Sequence, residues 1–145
     1  MSDPATPLVG YAPGVFDLFH VGHLNLLRRA KESCDVLIAG VVSDEMAMRN
    51  KGARPVVPTE ERLAIVEAIR DVDQAVVEDV PHKLDMWEKL HFDVIVKGDD
   101  WKDTDRGEKL ESDFAAVGAR VVYVSYTDRT SSTMLRRALD RLLDS

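Results

Sequence analysis

The sequence feature that most constrains the fold is an unbroken apolar run, Val36–Val42, with the sequence VLIAGVV. A strand without a polar side is typical of a parallel sheet that helices cover on both faces. Further apolar runs at residues 9–12, 75–77, 93–97 and 120–124 alternate with segments of helical spacing. This alternation predicts right-handed βαβ units, and therefore an α/β fold with a five-stranded parallel sheet and helices on both faces.

Capping and helix-breaking residues divide the rest of the chain. Ser43 is predicted to cap a short helix that ends near Asn50, and Thr59 is predicted to cap the next helix. Between them, Gly52 and two prolines predict a basic, mobile loop over residues 51–58. Because no repeat, low-complexity tract or linker interrupts residues 1–145, we expect a single domain, with residues 1–7 as a flexible N-terminal arm.

Composition narrows the class of protein. The net charge of −7 disfavours a nucleic-acid or anionic-membrane surface, since either needs a basic stripe. The single cysteine, Cys34, excludes an internal disulfide and a cysteine-rich metal site. The chain has no signal-peptide pattern, and no apolar run approaches the roughly 20 residues of a membrane helix. We therefore expect a cytoplasmic protein that binds neither nucleic acid nor membrane.

The ligand-binding edge follows from the predicted sheet. Parallel sheets bind ligands beyond the carboxyl ends of their strands. In this chain those ends lead into residues 13–23, 43–51, 98–101 and 126–132. Because a histidine pair, a tryptophan and clustered serines fall in these segments, we expect the functional site there.

The first of these segments suits a phosphate. It follows a strand, opens a helix and reads Gly14-Val15-Phe16-Asp17-Leu18-Phe19-His20-Val21-Gly22-His23. Backbone N–H groups at a helix start together carry about half a positive charge and point at a docked anion. Gly14 allows the chain to turn and a ligand to approach, and Gly22 leaves the phosphates uncrowded. His20 and His23 project from one side of the first helical turn. They could stabilise a pentavalent α-phosphate, either as hydrogen-bond donors or as imidazolium.

Two alternatives apply to the histidine pair. Metal-binding pairs on helices are more often four residues apart with an acidic neighbour, and no third ligand is evident, so a metal site is disfavoured. The other alternative is capping and packing at the helix start. The position of the pair after a buried strand and a glycine turn favours phosphate binding.

These residues form the pattern GxFDxxHxGH, which resembles the signature of the cytidylyltransferase-like nucleotidyltransferases. Its HxGH core is shared with adenylyl-transferring relatives. The stretches that resemble the phosphoethanolamine cytidylyltransferases are residues 42–45, 51–52, 60–62 and 69–73. KGDDW, at residues 97–101, is similar to the glycerol-3-phosphate cytidylyltransferases, and Ser131-Ser132-Thr133 lies where the family has RTxGISTT. The resemblance spans residues 9–139.

The resemblance implies a Rossmann-like domain that transfers CMP from CTP to a small phosphorylated alcohol, with glycerol 3-phosphate favoured by KGDDW. An acceptor phosphate oxygen attacks the α-phosphorus, pyrophosphate leaves and a CDP-alcohol forms. Mg²⁺ accompanies the nucleoside triphosphate, and by analogy with the family we expect a homodimer. Such a transfer needs positioning and charge neutralisation more than covalent catalysis.

The resemblance also implies roles for individual residues, none of them as a metal ligand. The expected catalytic residues are His20, His23, Lys51 and Arg129, with Lys51 closing over the triphosphate. The expected nucleotide-binding residues are Gly14, Val15, Phe16, Asp17, Gly22, Asp99, Ser131, Ser132 and Thr133. The expected acceptor-binding residues are Arg62, Arg70, Asp73, Trp101 and Tyr126.

The chain departs from the family's pattern near the expected ligand. Tyr126 stands where the last motif begins with Arg, and Arg129 follows three positions later. After KGDDW, Lys102 comes first and Thr104 holds the position where the family often has Lys. Val15 stands where relatives often have Thr. These departures leave the acceptor open, with phosphoethanolamine, a phosphorylated sugar alcohol and a phosphonate as further possibilities.

Three broader alternatives also stay open at this point. The chain could transfer AMP, as the FAD synthetase-like or sugar-phosphate branches of the same fold do. It could be a catalytically silent nucleotide-binding module, although the intact histidines weigh against that. It could also be one domain of a bifunctional enzyme.

Overall fold

The computed structural model describes residues 6–125 and 131–144. Its strands are β1 (Val9–Gly14), β2 (Val36–Val42), β3 (Gln74–Glu78), β4 (Val94–Gly98) and β5 (Arg120–Val124). Its helices are α1 (Val21–Glu32), α2 (Asp44–Lys51), α3 (Thr59–Glu67), α4 (Lys83–Leu90), α5 (Asp105–Ala115) and α6 (Ser132–Leu143), and Asp99–Trp101 forms a 3-10 turn. All five strands pair in parallel, in the order β3-β2-β1-β4-β5. The predicted Rossmann-like sheet is confirmed.

Helices cover both faces of this sheet, as predicted. Leu37 of β2 belongs to a core that it shares with α1 and α3, whereas its neighbour Ile38 belongs to a second core with α4 and α5. Both side chains are buried, which explains why VLIAGVV has no polar side. No helix in the described part of the chain is long and apolar enough to cross a bilayer.

Three aspartates anchor the starts of the strands. The carboxylates of Asp35, Asp73 and Asp93 each accept a hydrogen bond of 2.7–2.9 Å. The donor is a backbone N–H in the first residues of a neighbouring strand or just before it. The backbone N–H of each aspartate donates back to the same or the adjoining segment. Because the strands are parallel, these anchors all lie at the amino edge of the sheet, opposite the expected ligand edge.

This arrangement corrects the acceptor-binding role predicted for Asp73. Its carboxylate accepts hydrogen bonds from Lys31 Nζ at 2.6 Å and from the N–H of Leu37 at 2.8 Å, and both lower the pKa of Asp73. Arg70 is exposed at the same edge, beside Arg28. Neither residue can reach a ligand at the carboxyl edge of its own chain.

Two predicted boundaries are also corrected near α2. Lys51 is the last residue of this helix and not the first of the loop, because Gly52 ends the helix in a left-handed conformation (φ 76°). Pro58, and not Thr59, occupies the N-cap of α3. Thr59 Oγ1 instead accepts a hydrogen bond of 3.0 Å from the N–H of Asp44, so it joins the starts of α2 and α3.

Arg62 of α3 is the main polar support of the ligand edge. Its side chain is buried and donates at 2.7 Å to the carbonyl oxygens of Val15, Val42 and Val57 and to Asp44 Oδ1. These contacts join the Gly14 turn, the end of β2 and the 52–58 loop. The acceptor-binding role predicted for Arg62 is therefore corrected, since its guanidinium is already surrounded by protein acceptors.

Replacement of Arg62 and replacement of Arg70, the two arginines predicted to bind the acceptor, should have very different effects on the stability of the protein. Arg62→Met should lower the free energy of unfolding by about 3 kcal/mol, because Asp44 loses its cation and buried carbonyls lose their donor. Arg70→Met is the matched control and should leave stability unchanged, since this side chain is exposed. Urea unfolding at pH 7, followed by circular dichroism, measures both variants. Equal unfolding curves for the two would contradict the buried role of Arg62.

Candidate active site

The turn between β1 and α1 is held in a strained conformation. Phe16 and Leu18 have φ values of 55° and 51°, in the left-handed region that residues with a Cβ rarely adopt. Each costs on the order of 1–3 kcal/mol unless its surroundings enforce it. Gly14 is needed for space and not for its φ, because an added Cβ would lie 3.1 Å from the Phe16 ring. The residue between the two strained positions, Asp17, carries the contacts that hold the turn.

Asp17 is a buried anchor for three segments. Its carboxylate accepts hydrogen bonds of 2.9 Å from the N–H groups of Val56 and Val57 and from Arg136 Nη2 of α6. Burial raises the pKa of Asp17, but these hydrogen bonds outweigh it and hold the pKa below its ordinary value. The side chain is thus occupied within the protein, and it connects the turn with the 52–58 loop and α6.

Backbone contacts determine which nitrogens of the histidine pair carry protons. The N–H of Gly22 donates to His20 Nδ1 at 3.0 Å, and the N–H of His20 donates to His23 Nδ1 at 3.2 Å. A neutral imidazole that accepts at Nδ1 carries its proton on Nε2. The two contacts also cap the start of α1. Both rings therefore keep an Nε2–H as a donor, so capping and ligand binding are compatible for these residues.

Burial keeps the pair neutral. The His23 ring lies 5.6 Å from the Phe16 ring and 5.2 Å from the Phe19 ring, measured between centroids. Burial lowers the pKa of His23 to about 4, and nearby His20 contributes to that shift. Burial also lowers the pKa of His20. Of the two forms considered from the sequence, the free protein near neutral pH therefore presents hydrogen-bond donors and not imidazolium.

The start of α6 faces this pair. Ser131 caps the helix by accepting a hydrogen bond of 3.1 Å from the N–H of Met134. Ser132 Oγ donates to the carbonyl oxygen of Asp17 at 2.6 Å and lies 3.4 Å from His20 Nε2. Two helix N-termini, those of α1 and α6, thus meet at one place. Such ends attract phosphate because their first N–H groups lack helical acceptors.

A cavity of about 280 Å³ lies between these elements. It adjoins the ends of β1 and β4, where the strand order reverses and where ligands bind in sheets of this type. The predicted site residues in its wall are Gly14, Val15, Phe16, Asp17, His20, Gly22, His23, Lys51, Trp101, Ser131, Ser132 and Thr133. The structure therefore brings together both predicted anion-binding helix starts and Lys51.

Other predicted residues are not in this wall: Arg62, Arg70, Asp73 and Asp99. Asp100 lines the cavity in place of Asp99. Successive residues of a 3-10 turn are about 120° apart, so adjacent side chains do not face the same way. Tyr126 and Arg129, the two departures from the family's last motif, lie outside the described residues.

Two cations in the wall were given no role by the sequence analysis. Arg136 projects from α6 and pairs with Asp17, and its buried Nε has no hydrogen-bond partner among the residues described. Lys97 lies near the carboxyl end of β4. Its position at a strand end could have identified Lys97, because that edge of a parallel sheet carries the ligand. Nothing in the spacing of α6 identifies Arg136.

Comparison with known proteins identifies the family of this chain. The sequence profile of the family described as cytidylyltransferase-like matches residues 11–138. The bifunctional protein HldE of Syntrophotalea carbinolica is 35% identical over 136 residues, which cover 92% of this chain and 27% of that protein. The ethanolamine-phosphate cytidylyltransferase of Arabidopsis thaliana is 43% identical over 100 residues, covering 65% of this chain and 23% of the enzyme. The chain thus spans about a quarter of the length of these relatives.

A solved structure extends the match to the fold. The crystal structure of the lipopolysaccharide core biosynthesis protein from Thermoplasma volcanium GSS1 has a TM-score of 0.75 and 30% sequence identity, and the match covers 85% of this chain and 100% of that chain. The family match runs from β1 into α6 and so includes both helix starts and the histidine pair. The chain therefore belongs to the cytidylyltransferase-like family of nucleotidyltransferases.

Proposed function

We propose that this protein transfers CMP from CTP to a small phosphorylated alcohol, forming a CDP-alcohol and pyrophosphate. The observation that carries the proposal is the pair of neutral imidazoles, each with an Nε2–H donor, beside two helix N-termini in one cavity. The family and its ethanolamine-phosphate relative support transfer of a cytidylyl group. KGDDW at residues 97–101 favours glycerol 3-phosphate as the acceptor.

During the proposed transfer, negative charge shifts from the acceptor phosphate towards the leaving pyrophosphate, and the site has to neutralise it. An acceptor phosphate oxygen attacks the α-phosphorus, the bond to the β-phosphate oxygen breaks, and pyrophosphate leaves with the electron pair. His20 and His23 donate hydrogen bonds to the α-phosphate oxygens, where charge changes in the transition state. The amide groups at the start of α6 bind the β- and γ-phosphates, and Lys51, next to the Gly52 cap, covers the triphosphate.

Mg²⁺ is compatible with this donor set. The described residues contain no group of three or more His, Cys, Asp or Glu that could hold a metal ion. Mg²⁺ does not need such a group, because it is commonly bound by one or two carboxylates together with substrate phosphates and water. The carboxylate of Asp100, in the cavity wall, would hold it. When bound, the ion would neutralise part of the triphosphate charge.

Other sequence predictions stay predictions. The homodimer rests on analogy with the family, and the cytoplasmic location rests on composition. The single domain likewise rests on the sequence pattern. Transfer of AMP in place of CMP stays the second possible reaction, because the HxGH turn does not select the base.

Pyrophosphate release tests the proposed reaction. We expect release with CTP and Mg²⁺ in the presence of glycerol 3-phosphate, and less with ATP, because the family favours cytidylyl transfer. The measurement compares CTP and ATP against glycerol 3-phosphate, phosphoethanolamine, a sugar-alcohol phosphate and a phosphonate. Release with ATP alone would contradict CMP transfer, and release with no pair would contradict the enzyme activity itself.

Replacement of His23 tests its role as a neutral donor. His23→Ala should lower kcat by about 100-fold or more, since loss of one transition-state donor costs about 2.7 kcal/mol. His91→Asn is the matched control: His91 lies outside the cavity wall with φ 50°, a conformation that Asn tolerates. Its kcat should not change.

The pH profile separates the two forms of His23. Because burial lowers its pKa to about 4, the neutral form predominates at every pH well above that value. The ratio of wild-type to His23→Ala kcat/KM should therefore stay constant between about pH 8 and 6. A ratio that grows as the pH falls through this range would show that imidazolium is the active form, and would sink the neutral-donor mechanism.

A further inference from the structure

We propose that Lys97 binds the phosphate of the acceptor, a role that rests on the proposed nucleotidyl transfer. Lys97 is half-buried, whereas the other residues of β4 are fully buried, and it lies next to the last residue of the strand. Its side chain lines the same cavity as the histidine pair and both helix starts. It is thus a cation placed by a rigid strand at the ligand edge of the sheet.

The surroundings of Lys97 hold its ammonium in place without neutralising it. Nζ lies 4.2 Å from the centroid of the Trp101 ring, within the range of a cation–π contact. Among the residues that the structure describes, no carboxylate forms an ion pair with Lys97. The nearby carboxylate of Glu78 is already paired with Lys83 and accepts a hydrogen bond from Tyr11. An anionic ligand is therefore the partner that this ammonium lacks.

The electrostatics of the site lead to the same conclusion. The pKa of Lys97 is lowered to about 7, mainly by burial and also by the nearby charges of Lys83 and Lys51, while Glu78 and Asp100 oppose the shift. A lysine side chain that is only partly protonated near neutral pH lacks a nearby counter-charge. A bound phosphate dianion would supply that charge and favour the protonated form. Lysine suits this role because its ammonium is a compact charge that binds phosphate in many sites.

The position of Lys97 favours the acceptor over the triphosphate. The starts of α1 and α6, the two imidazoles and Lys51 already serve the triphosphate in the proposed reaction. Arg136 is committed to Asp17. Lys97 instead contacts Trp101, the residue of the cavity wall that the sequence predicted for the acceptor. Together they offer a charge for a phosphate and an apolar surface for a short carbon chain.

Steady-state kinetics test the assignment to the acceptor. With the best acceptor of the panel, Lys97→Met should raise the KM for the acceptor about tenfold or more, as expected for loss of a charge-assisted hydrogen bond. The KM for CTP should not change, and Lys97→Arg should retain most of the acceptor affinity. Lys102→Met removes an exposed lysine outside the cavity wall and should behave as wild type. An unchanged acceptor KM, or a rise in the KM for CTP alone, would overturn the assignment.

Phosphate binding tests the same residue without any turnover. The chain has two tryptophans, so Trp87→Phe leaves Trp101 as the sole reporter beside Lys97. Inorganic phosphate at pH 7 should change its fluorescence saturably, and Lys97→Met in this background should weaken the affinity about tenfold or more. Unchanged affinity would overturn the proposal for Lys97. If Lys97→Met weakens phosphate binding but the wild-type protein transfers no nucleotide, the anion site at Lys97 is supported. Only the proposed function is then contradicted.

Discussion

The buried carboxylate of Asp17 is the interaction on which the rest of the site depends. The residues on either side of it, Phe16 and Leu18, are held in left-handed conformations that are unfavourable on their own. Two backbone N–H groups of the 52–58 loop and the guanidinium of Arg136 bind the carboxylate. A single side chain thus compensates for local strain and sets three separate segments around one cavity.

The electrostatic state of the histidine pair follows from that turn. Beside Phe16, His23 is packed among aromatic rings and stays neutral, while backbone donors at Nδ1 leave the proton of both rings on Nε2. The positive potential of the site then comes from helix N-termini and lysines, and protonated imidazoles are not needed. This arrangement suits transfer of a nucleotidyl group, in which charge is redistributed over phosphate oxygens and no side-chain nucleophile is required.

Prediction from the sequence succeeded where the signal is local and failed where it depends on distant partners. The bounds of β2 and β5 and the cap at Ser43 agree with the structure, because apolar runs and capping residues act over a few positions. Arg62 was misassigned because its acceptors come from segments far apart in the chain. Lys97 was noted within KGDDW but given no role of its own, because a lysine that ends an apolar run resembles an ordinary strand boundary. The resemblance to a family located the turn. It did not show which side chains of the turn already have partners within the protein.

The most direct test of this account is the nuclear magnetic resonance of the histidine rings. The chain has four histidines, of which His20 and His23 lie in the cavity wall and His82 and His91 do not. With ring-¹⁵N labelling at pH 7, all the signals of the first pair should be those of neutral rings protonated at Nε2. Addition of Mg²⁺ and a non-hydrolysable CTP analogue should shift the first pair and leave the second pair unchanged. Unshifted signals for His20 and His23 at saturating analogue would contradict the central claim that this turn binds the nucleoside triphosphate.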